Sequence, residues 1–252
     1  MDFTGKVVLI TGASRGIGRV CAEMFASHGA QVAVHYNRNQ ESAEQVMRSL
    51  NGSGHMMVGA DVSNPKAVKS AVDAVVATLG GIDILVNNAG IYIEHPLTDV
   101  DYAEWQATWS QIIQTNLIGA ANMAYCATQS MIARGGGRIV NVSSRGAFRG
   151  EPTAPAYGAS KAGMNAMGQS LALSLAPHNI FVATVAPGWV ETEMASEGLN
   201  SPNGDNIRNQ SPLGRVARPE EVAYTVLFLA AEQTAFLTGA IVDVNGASYL
   251  RT

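Results

Sequence analysis

Short runs of aliphatic and β-branched residues alternate along the chain with longer segments whose apolar positions recur at helical spacing. The short runs predict seven β-strands, at residues 6–10, 31–36, 56–60, 82–86, 138–142, 180–185 and 240–244. The longer segments predict helices at residues 16–28, 41–50, 65–79, 101–131, 157–176 and 219–231. This regular alternation of strand and helix is typical of a parallel sheet with helices on both faces.

The first predicted strand is apolar throughout after Lys6, as expected for a strand that is buried on both faces. We therefore predict an α/β fold, a single doubly wound domain over residues 1–252 with a seven-stranded parallel sheet. Residues 190–218 interrupt the alternation and show no clear helix or strand pattern. Such a long segment without regular structure is usually functional or mobile, so we predict a substrate loop or lid there.

Composition narrows the class of protein further. Hydrophobic residues make up 47% of the 252 residues and charged residues only 14%, against a usual value of about 25% charged. This balance excludes a disordered chain. The net charge of -4 argues against binding to nucleic acid or to an anionic membrane surface. No apolar run reaches the roughly 18 residues that span a bilayer.

Cysteine and histidine usage predicts neither a disulfide framework nor a metal site. The two cysteines, Cys21 and Cys126, cannot by themselves form a tetrahedral thiolate site. The five histidines are scattered and share no predicted face. The first residues lack the basic and apolar regions of a signal peptide. We therefore expect a cytoplasmic protein without a metal.

A glycine-rich loop follows the first predicted strand and opens the first predicted helix. It reads Thr-Gly-Ala-Ser-Arg-Gly-Ile-Gly over residues 11–18. In a dinucleotide-binding loop, Gly12 would allow a tight turn, Gly16 would let backbone amides approach a pyrophosphate, and Gly18 would let the helix pack closely on the sheet. The glycine spacing differs from the general fingerprint, and an ordinary strand–helix turn remains the alternative.

The end of the second predicted strand indicates which dinucleotide is bound. An NAD site places an acidic residue there to bind the ribose 2′-hydroxyl, but residues 34–39 contain no carboxylate. Arg15 and Arg38 are available instead, and guanidinium groups suit a 2′-phosphate. We therefore predict NADP(H), the alternative being that Arg38 is a solvated loop residue.

Four polar residues are candidates for acting on a carbonyl or alcohol substrate, namely Asn116, Ser144, Tyr157 and Lys161. Tyr157 and Lys161 lie four residues apart, so they share a face of the predicted helix. A nearby ammonium would lower the pKa of the phenol and let it exchange a proton with a substrate oxygen. Ser144 lies at the carboxyl end of the fifth strand, where ligands of doubly wound sheets bind. Asn116 interrupts a helical pattern, and a bond to its own backbone or to a neighbouring strand is the alternative.

These motifs together resemble those of the short-chain dehydrogenase/reductase family, in its branch of roughly 250 residues. The sequences Thr-Gly-x-x-x-Gly-x-Gly, Asn-Asn-Ala-Gly at residues 87–90, the mid-chain Asn, Ser-Ser, Tyr-x-x-x-Lys and Pro-Gly at residues 187–188 appear in the family's order. The resemblance covers residues 6 to about 246 and is nearest to 3-oxoacyl-[acyl-carrier-protein] reductase-like members. It implies a Rossmann-type fold whose seven strands are arranged in the order 3-2-1-4-5-6-7.

The resemblance also implies a role for each site residue. Tyr157 would be the general acid/base, Lys161 would lower its pKa and bind the nicotinamide ribose, Ser144 would orient the substrate carbonyl, and Asn116 would hold a water of a proton relay in a locally distorted helix. The implied cofactor-binding residues are Gly12, Ser14, Arg15, Gly16, Ile17, Gly18, Asn37, Arg38, Asp61, Val62, Asn88, Ala89, Gly90, Tyr157, Lys161, Pro187, Gly188, Val190 and Thr192.

The leading hypothesis is an NADP(H)-dependent oxidoreductase acting on a small-molecule carbonyl or secondary alcohol. Two alternatives are a dinucleotide-binding sensor or scaffold without turnover, and a non-redox epimerase or lyase on the same fold. We expect a homo-oligomer, a tetramer or a dimer. Trp189, Met194 and Leu199 suggest a partly apolar substrate wall, whereas only Arg145 and Arg149 would face an acidic carrier protein.

Overall fold

The computed structural model describes residues 1–251, so the last residue of the predicted domain lies outside it. The sheet has seven strands, which all pair in parallel in the predicted order β3-β2-β1-β4-β5-β6-β7. The strands are β1 Val7–Ile10, β2 Gln31–Tyr36, β3 Met56–Gly59, β4 Ile84–Asn87, β5 Gly137–Val142, β6 Ile180–Pro187 and β7 Ile241–Val244. The predicted α/β class and strand order are therefore confirmed.

Ten α-helices surround or extend this sheet within the described residues. They are α1 Gly16–Ser27, α2 Gln40–Ser49, α3 Pro65–Leu79, α4 Tyr102–Ile113, α5 Gly119–Ala133, α6 Gly146–Arg149, α7 Pro155–Leu175, α8 Ser196–Asn200, α9 Gly204–Arg208 and α10 Pro219–Ala230.

The core lies on both faces of the sheet, as the apolar first strand predicts. Val8 and Ile10 of β1 belong to a buried cluster with residues of α1, α2 and α10, whereas Val7 and Leu9 belong to a second cluster with residues of α3 and α5. All four side chains are at most 2% exposed. The side chains of β1 therefore alternate between two core clusters, one on each face of the sheet.

Helix ends follow local chemistry that the sequence shows. The Asn64 side chain accepts hydrogen bonds from the amides of Lys66 and Ala67, at 3.0 and 3.2 Å, and Pro65 occupies the first helical position of α3. Gly80 ends this helix in a left-handed conformation, with φ +81°.

The structure differs from the sequence prediction in three places. The helical pattern of residues 101–131 is divided by a π-helical segment, Gln114–Ile118, between α4 and α5. Helix α6 was not predicted, because four residues show no periodicity. Residues 190–218 contain α8, α9 and the 3-10 turn Glu193–Ala195 instead of an unstructured loop.

The segment of residues 190–218 has a small hydrophobic cluster of its own. Ala195, Leu199 and Ile207 are buried in it, with Trp189 and Val216 packed against them. We call this cluster the lid cluster. Within residues 1–251, no helix is long and apolar enough to cross a bilayer, and no three metal-ligating side chains are grouped.

Candidate active site

The loops that follow β1 and β4 are joined by hydrogen bonds at the carboxyl edge of the sheet. Thr11 Oγ1 accepts the backbone amides of Asn88 and Ala89, each at 2.9 Å, and donates to the carbonyl of Val86 at 3.2 Å. The side-chain amide of Asn88 donates to the carbonyls of Thr11 and Gly12, at 2.9 and 3.1 Å. Asn88 and Ala89 therefore fix the shape of the glycine loop to which the sequence analysis assigned the cofactor.

The glycines of this loop leave no room for a side chain. A Cβ atom on Gly18 would lie 2.4 Å from the Gly12 carbonyl oxygen and 2.5 Å from Nδ2 of Asn88. Gly12 and Gly16 have φ values of +63° and +53°, which L side chains rarely adopt. A Cβ atom on Gly16 would lie 3.3 Å from the methyl carbon of Thr192, so the segment after β6 approaches the same loop.

The N-terminus of α1 is open toward the glycine loop of residues 11–18, which we call the glycine cradle. Arg15 precedes the helix in an extended conformation, and no side chain among the described residues caps the first turn. The partial positive charge and free amides of such a helix start favour an anion. Ser14 and Ile17 are half-buried beside it. The cradle and the helix start together fit a pyrophosphate.

Four of the predicted cofactor-binding residues follow β2 and β3, namely Asn37 and Arg38 after β2 and Asp61 and Val62 after β3. Asn37, Arg38 and Arg15 are exposed, and within residues 1–251 neither arginine forms an ion pair. The carboxylate of Asp61 accepts two hydrogen bonds from Ser63, at 2.9 and 2.7 Å.

The neighbouring Val62 has a different environment. It is buried and lies against Gly119, where a Cβ atom would be 2.9 Å from the Val62 carbonyl oxygen. Its backbone is thus held by the start of α5.

His35 binds two backbone amides of the glycine loop, a contact that was not predicted from the sequence. Its Nδ1 accepts the amide of Gly12 at 3.2 Å, and its carbonyl accepts the amide of Ala13 at 2.8 Å. The side chain is 1% exposed, and burial lowers its pKa to about 4. His35 is therefore neutral at physiological pH. A polar residue inside a buried strand was the only sequence signal.

This neutral histidine predicts a loss of stability in mild acid. The unfolded chain binds a proton near pH 6.5, whereas folded His35 does not until about pH 4, so stability falls as the pH drops through that window. The full difference is about 3 kcal/mol. Urea unfolding at several pH values measures it. The variant His35→Asn offers an acceptor that does not titrate, so its stability should fall less. Equal pH dependence in both proteins would contradict this account.

Tyr157 and Lys161 lie in the first two turns of α7, and the predicted shared face is present. Lys161 is 4% exposed, and its Nζ donates to the carbonyl of Val142 at 2.8 Å. The same Nζ lies 5.8 Å from the centroid of the Tyr157 ring. Burial lowers the pKa of Lys161 to about 8. The ammonium is thus anchored at the end of β5 beside the phenol.

The protonation of Tyr157 differs from the sequence expectation. Removal from water raises the pKa of its phenol to about 12, while the nearby Ser144 hydroxyl acts in the opposite direction. The lowering expected from Lys161 is therefore not found, and desolvation of the phenolate has the largest effect on this pKa. Tyr157 is consequently a protonated donor at neutral pH in the protein alone.

Asn116 connects the catalytic helix with the loop after β4. It is 0% exposed in the π-helical segment, which confirms the distorted helix that the resemblance implied. Its Oδ1 accepts the amide of Ile91 at 2.8 Å, and its Nδ2 donates to the Ile91 carbonyl at 3.0 Å and to Ser160 Oγ at 3.2 Å. A Cβ atom on Gly90 would lie 3.4 Å from Asn116 Oδ1 and 3.5 Å from Lys161 Nζ. Gly90 therefore lies against both the Asn116 side-chain oxygen and the Lys161 ammonium.

The two serines after β5 have different partners. Ser143 Oγ donates to the carbonyl of Lys161 at 3.2 Å and so ties α7 to the sheet. Ser144 Oγ accepts the amide of Gly146 at 3.0 Å and faces the phenol of Tyr157. Of these two serines, Ser144 is therefore the one whose hydroxyl influences the pKa of Tyr157.

Four further predicted cofactor-binding residues lie at and beyond the end of β6, namely Pro187, Gly188, Val190 and Thr192. The carbonyl of Pro187 accepts the amide of Arg145 at 2.8 Å, which fixes it next to the Ser144 turn. A Cβ atom on Gly188 would lie 3.1 Å from the Asn245 backbone. Val190 is buried, and Thr192 lies against the glycine loop as described above. The structure thus brings both ends of the predicted cofactor site to one edge of the sheet.

Tyr92 is a further residue beside the phenol, and no motif indicated it. Its ring packs edge-on against the Tyr157 ring, with centroids 5.2 Å apart at 74°. Its hydroxyl bonds to Thr153 Oγ1 at 3.2 Å and to Glu94 Oε1 at 3.3 Å. This contact joins segments about 61 residues apart in the chain, beyond the reach of local patterns.

The predicted apolar substrate wall is only partly present. Leu199 is buried in the lid cluster, and Trp189 packs against that cluster, while Met194 is 51% exposed. Arg145 is 3% exposed, and burial lowers its pKa to about 10. Its guanidinium donates to neutral oxygens of Gln210 and Ser248. The polar side chains of Arg145 and Ser248 therefore line the same pocket as Trp189.

Comparison with known proteins places this fold and site in a family. The sequence pattern of a family described as enoyl-(acyl carrier protein) reductase matches residues 12–247. The 3-oxoacyl-[acyl-carrier-protein] reductase FabG of Vibrio cholerae is 36% identical over 99% of this chain and 100% of its own length. FabG of Chlamydia muridarum is 38% identical over 97% of both chains.

Solved structures show the same architecture. A putative short-chain alcohol dehydrogenase from Sinorhizobium meliloti has a TM-score of 0.90 and 36% identity, over 98% of this chain and 97% of its own. A structure named as ribose-5-phosphate isomerase from Brucella melitensis has a TM-score of 0.91 and 31% identity, over 98% of this chain and 93% of its own. The names of these two proteins specify different activities, so the fold alone does not define the reaction.

The seven-stranded parallel sheet, the glycine cradle and the Ser, Tyr and Lys side chains define a Rossmann-type oxidoreductase. The relatives specify the class further. The chain belongs to the short-chain dehydrogenase/reductase family, whose cofactor is a nicotinamide dinucleotide.

Proposed function

We propose that the protein is an NADP(H)-dependent oxidoreductase that transfers a hydride between the nicotinamide and a carbonyl or secondary alcohol. The observation that supports this most is the placement of a protonated Tyr157 between Ser144 and the buried Lys161, at the sheet edge that also carries the glycine cradle. The proposed domain uses all of residues 1–252, with residues 190–218 as the segment that covers the substrate.

Each side chain has a distinct task in this proposal. Ser144 donates a hydrogen bond to the substrate oxygen and holds it at the phenol of Tyr157. Tyr157 gives its proton to that oxygen during reduction and takes it back during oxidation. Lys161, held by Val142, places a positive charge beside the phenolate that forms. When bound, the nicotinamide supplies or accepts the hydride. Asn116 holds the loop after β4 next to Lys161, and we assign the proton relay to this pair.

The cofactor would lie along the carboxyl edge of the sheet. The glycine cradle and the start of α1 would hold the pyrophosphate, and Asp61 and Val62 would flank the adenine. Residues 187–192 would contact the nicotinamide, with Gly90 beside its ribose. Arg15 and Arg38 have exposed guanidinium groups and no ion-pair partner in residues 1–251, so they are free to bind a 2′-phosphate.

Removing one of these guanidinium groups tests the preference for NADPH. We expect Arg38→Ala to weaken NADPH binding by about 10- to 100-fold, the effect of a lost charged hydrogen bond, and to leave NADH binding unchanged. Titration calorimetry with each dinucleotide at equal salt measures both. Arg48→Ala, an exposed arginine on α2, is the matched control. If the unaltered protein bound NADH as tightly as NADPH, the assignment to NADP(H) would be wrong.

A free small molecule is the substrate class that we propose. The curated relatives carry names that specify an acyl-carrier-protein substrate. Here Arg145 is buried in bonds to Gln210 and Ser248, so of the two arginines only the exposed Arg149 is offered to an acidic partner. NADPH consumption with ketones, acyl thioesters, quinones and sugars tests this. Turnover with none of them would favour a sensor, whereas isomerisation without net NADPH consumption would favour an epimerase.

Exposed apolar side chains support self-association into a tetramer or a dimer. Ile118, Tyr125 and Ile132 recur at intervals of seven residues along α5 and the segment before it, and they are 38%, 70% and 40% exposed. Leu173 on α7 is 82% exposed. Repeats of seven residues share one helical face, so this face would be covered in the assembly. Light scattering at micromolar concentration should give the mass of an oligomer, and a monomer would contradict the proposal.

The proposed location is the cytoplasm. Cys21 and Cys126 are both free thiols, which is the usual state of cysteine in a reducing compartment.

A further inference from the structure

The catalytic helix α7 begins without a side-chain cap of its own. Ala154 precedes it and offers no polar side chain, and Pro155 has no N–H. The amides of Tyr157 and Gly158 bond to the Ala154 carbonyl at 3.0 and 3.2 Å. The amide of Ala156 is the donor that this arrangement leaves for a partner outside the helix.

His95 is that partner. Its Nε2 accepts the amide of Ala156 at 3.2 Å, directly before Tyr157. Its Nδ1 lies 2.8 Å from the carbonyl of Ile93, which assigns the ring proton to Nδ1 and leaves Nε2 as an acceptor. Its own amide donates to the carbonyl of Thr153 at 2.7 Å. One neutral imidazole thus joins the loop after β4, the turn before α7 and the first turn of α7.

The packing around His95 leaves it little freedom. The side chain is 0% exposed, and the Trp105 ring lies 5.5 Å from it between centroids. Trp109 packs on Trp105 at 5.6 Å. His95 does not reach solvent or the substrate side of Tyr157, so it has no direct part in proton transfer.

Residues 91–95 form a strap with two fixed ends, and Tyr157 lies beneath it. Asn116 binds both backbone groups of Ile91 at one end, and His95 binds Ala156 at the other. Tyr92, between the two ends, packs edge-on against Tyr157. This short segment therefore holds Tyr157 in two ways: Tyr92 packs on its ring, and His95 binds the backbone of the residue before it.

We propose that His95 is a positioning residue for the general acid: it caps the start of α7 and fixes the strap that places Tyr92 against Tyr157. The inference rests on the proposed function of Tyr157. A displacement of about 1 Å at a reacting group can cost about 100-fold in rate. Loss of the cap should therefore reduce kcat, although His95 touches neither substrate nor cofactor.

Two substitutions separate hydrogen bonding from packing. His95→Leu removes both ring bonds, whereas His95→Gln can still donate to Ile93 and accept from Ala156. His55→Leu is the matched control, because His55 also joins two backbone groups, Val32 N at 3.1 Å and the Asn51 carbonyl at 2.8 Å, at the start of β2.

We expect His95→Leu to lower kcat by about 100-fold with NADPH affinity within about threefold of the original. His95→Gln should restore kcat to within about tenfold, and His55→Leu should leave it unchanged. The inference is overturned if His95→Leu keeps its kcat, if folded His95→Gln loses as much as His95→Leu, or if His55→Leu loses equally.

A second measurement does not depend on turnover. Hydrogen exchange at the Ala156 amide should become at least about tenfold faster in His95→Leu and stay near its original rate in His95→Gln. Unchanged exchange would refute the cap itself. If exchange responds as expected but the unaltered protein reduces no carbonyl compound, the proposed function fails and the structural role of His95 stands.

Discussion

The variant Tyr157→Phe should lose about 100- to 10,000-fold in kcat, the usual contribution of a positioned general acid. The substitution removes only the phenolic hydroxyl, which carries the proton that we propose is transferred and lies near Ser144. The ring and its edge-on contact with Tyr92 remain, so the fold around the site should not change. Steady-state rates of NADPH oxidation with a good carbonyl substrate measure the effect.

The affinity for NADPH distinguishes the loss of a proton donor from damage to the cofactor site. The Kd for NADPH should stay within about twofold, because an anchored ring still occupies the same space and Lys161 keeps its bond to Val142. Tyr224→Phe, on the exposed side of α10, is the control and should behave like the unaltered protein. Near-normal turnover of Tyr157→Phe would show that another group delivers the proton.

The variant Gly18→Ala should lose most of its cofactor binding. Its methyl group would lie 2.4 Å from the Gly12 carbonyl oxygen and 2.5 Å from Asn88 Nδ2. The loop must therefore shift, and Asn88 cannot keep its bonds to the Thr11 and Gly12 carbonyls. We expect NADPH affinity to fall more than about tenfold and the free energy of unfolding to fall by about 1–3 kcal/mol.

A second glycine in a helix serves as the control for this substitution. In Gly163→Ala the added methyl would meet the flexible end of the Leu117 side chain, which can move at little cost. Its unfolding free energy should change by less than about 1 kcal/mol, and NADPH binding should be unchanged. Calorimetry and urea unfolding of both variants provide the comparison. Normal NADPH binding by folded Gly18→Ala would mean that the loop does not hold the dinucleotide.

Local chemistry made the fold and much of the site predictable from sequence. The apolar β1 run, the Asn64 cap and the Gly18 packing position each depend on neighbours within a few residues or on one sheet contact. The strand order was predicted from the resemblance to doubly wound dinucleotide-binding folds and not from local pattern. Tyr157 and Lys161 could be paired in advance because one helical turn separates them.

Contacts between distant segments were not predictable. His95 reaches Ala156 across 61 residues and His35 reaches Gly12 across 23, and a single histidine in either sequence context is unremarkable. The raised pKa of Tyr157 also depends on burial by the assembled loops, which residue spacing does not reveal. The helices of residues 190–218 are too short for a periodic pattern.

The lid cluster has a consequence for how such proteins diversify. Ala195, Leu199 and Ile207 pack on one another, with Trp189 and Val216, and belong to neither of the two main core clusters. Sequence changes confined to this cluster should therefore alter the packing of residues 190–218 and leave both main clusters intact. If this segment covers the substrate, as we propose, such changes can alter substrate preference while the glycine loop keeps its structure.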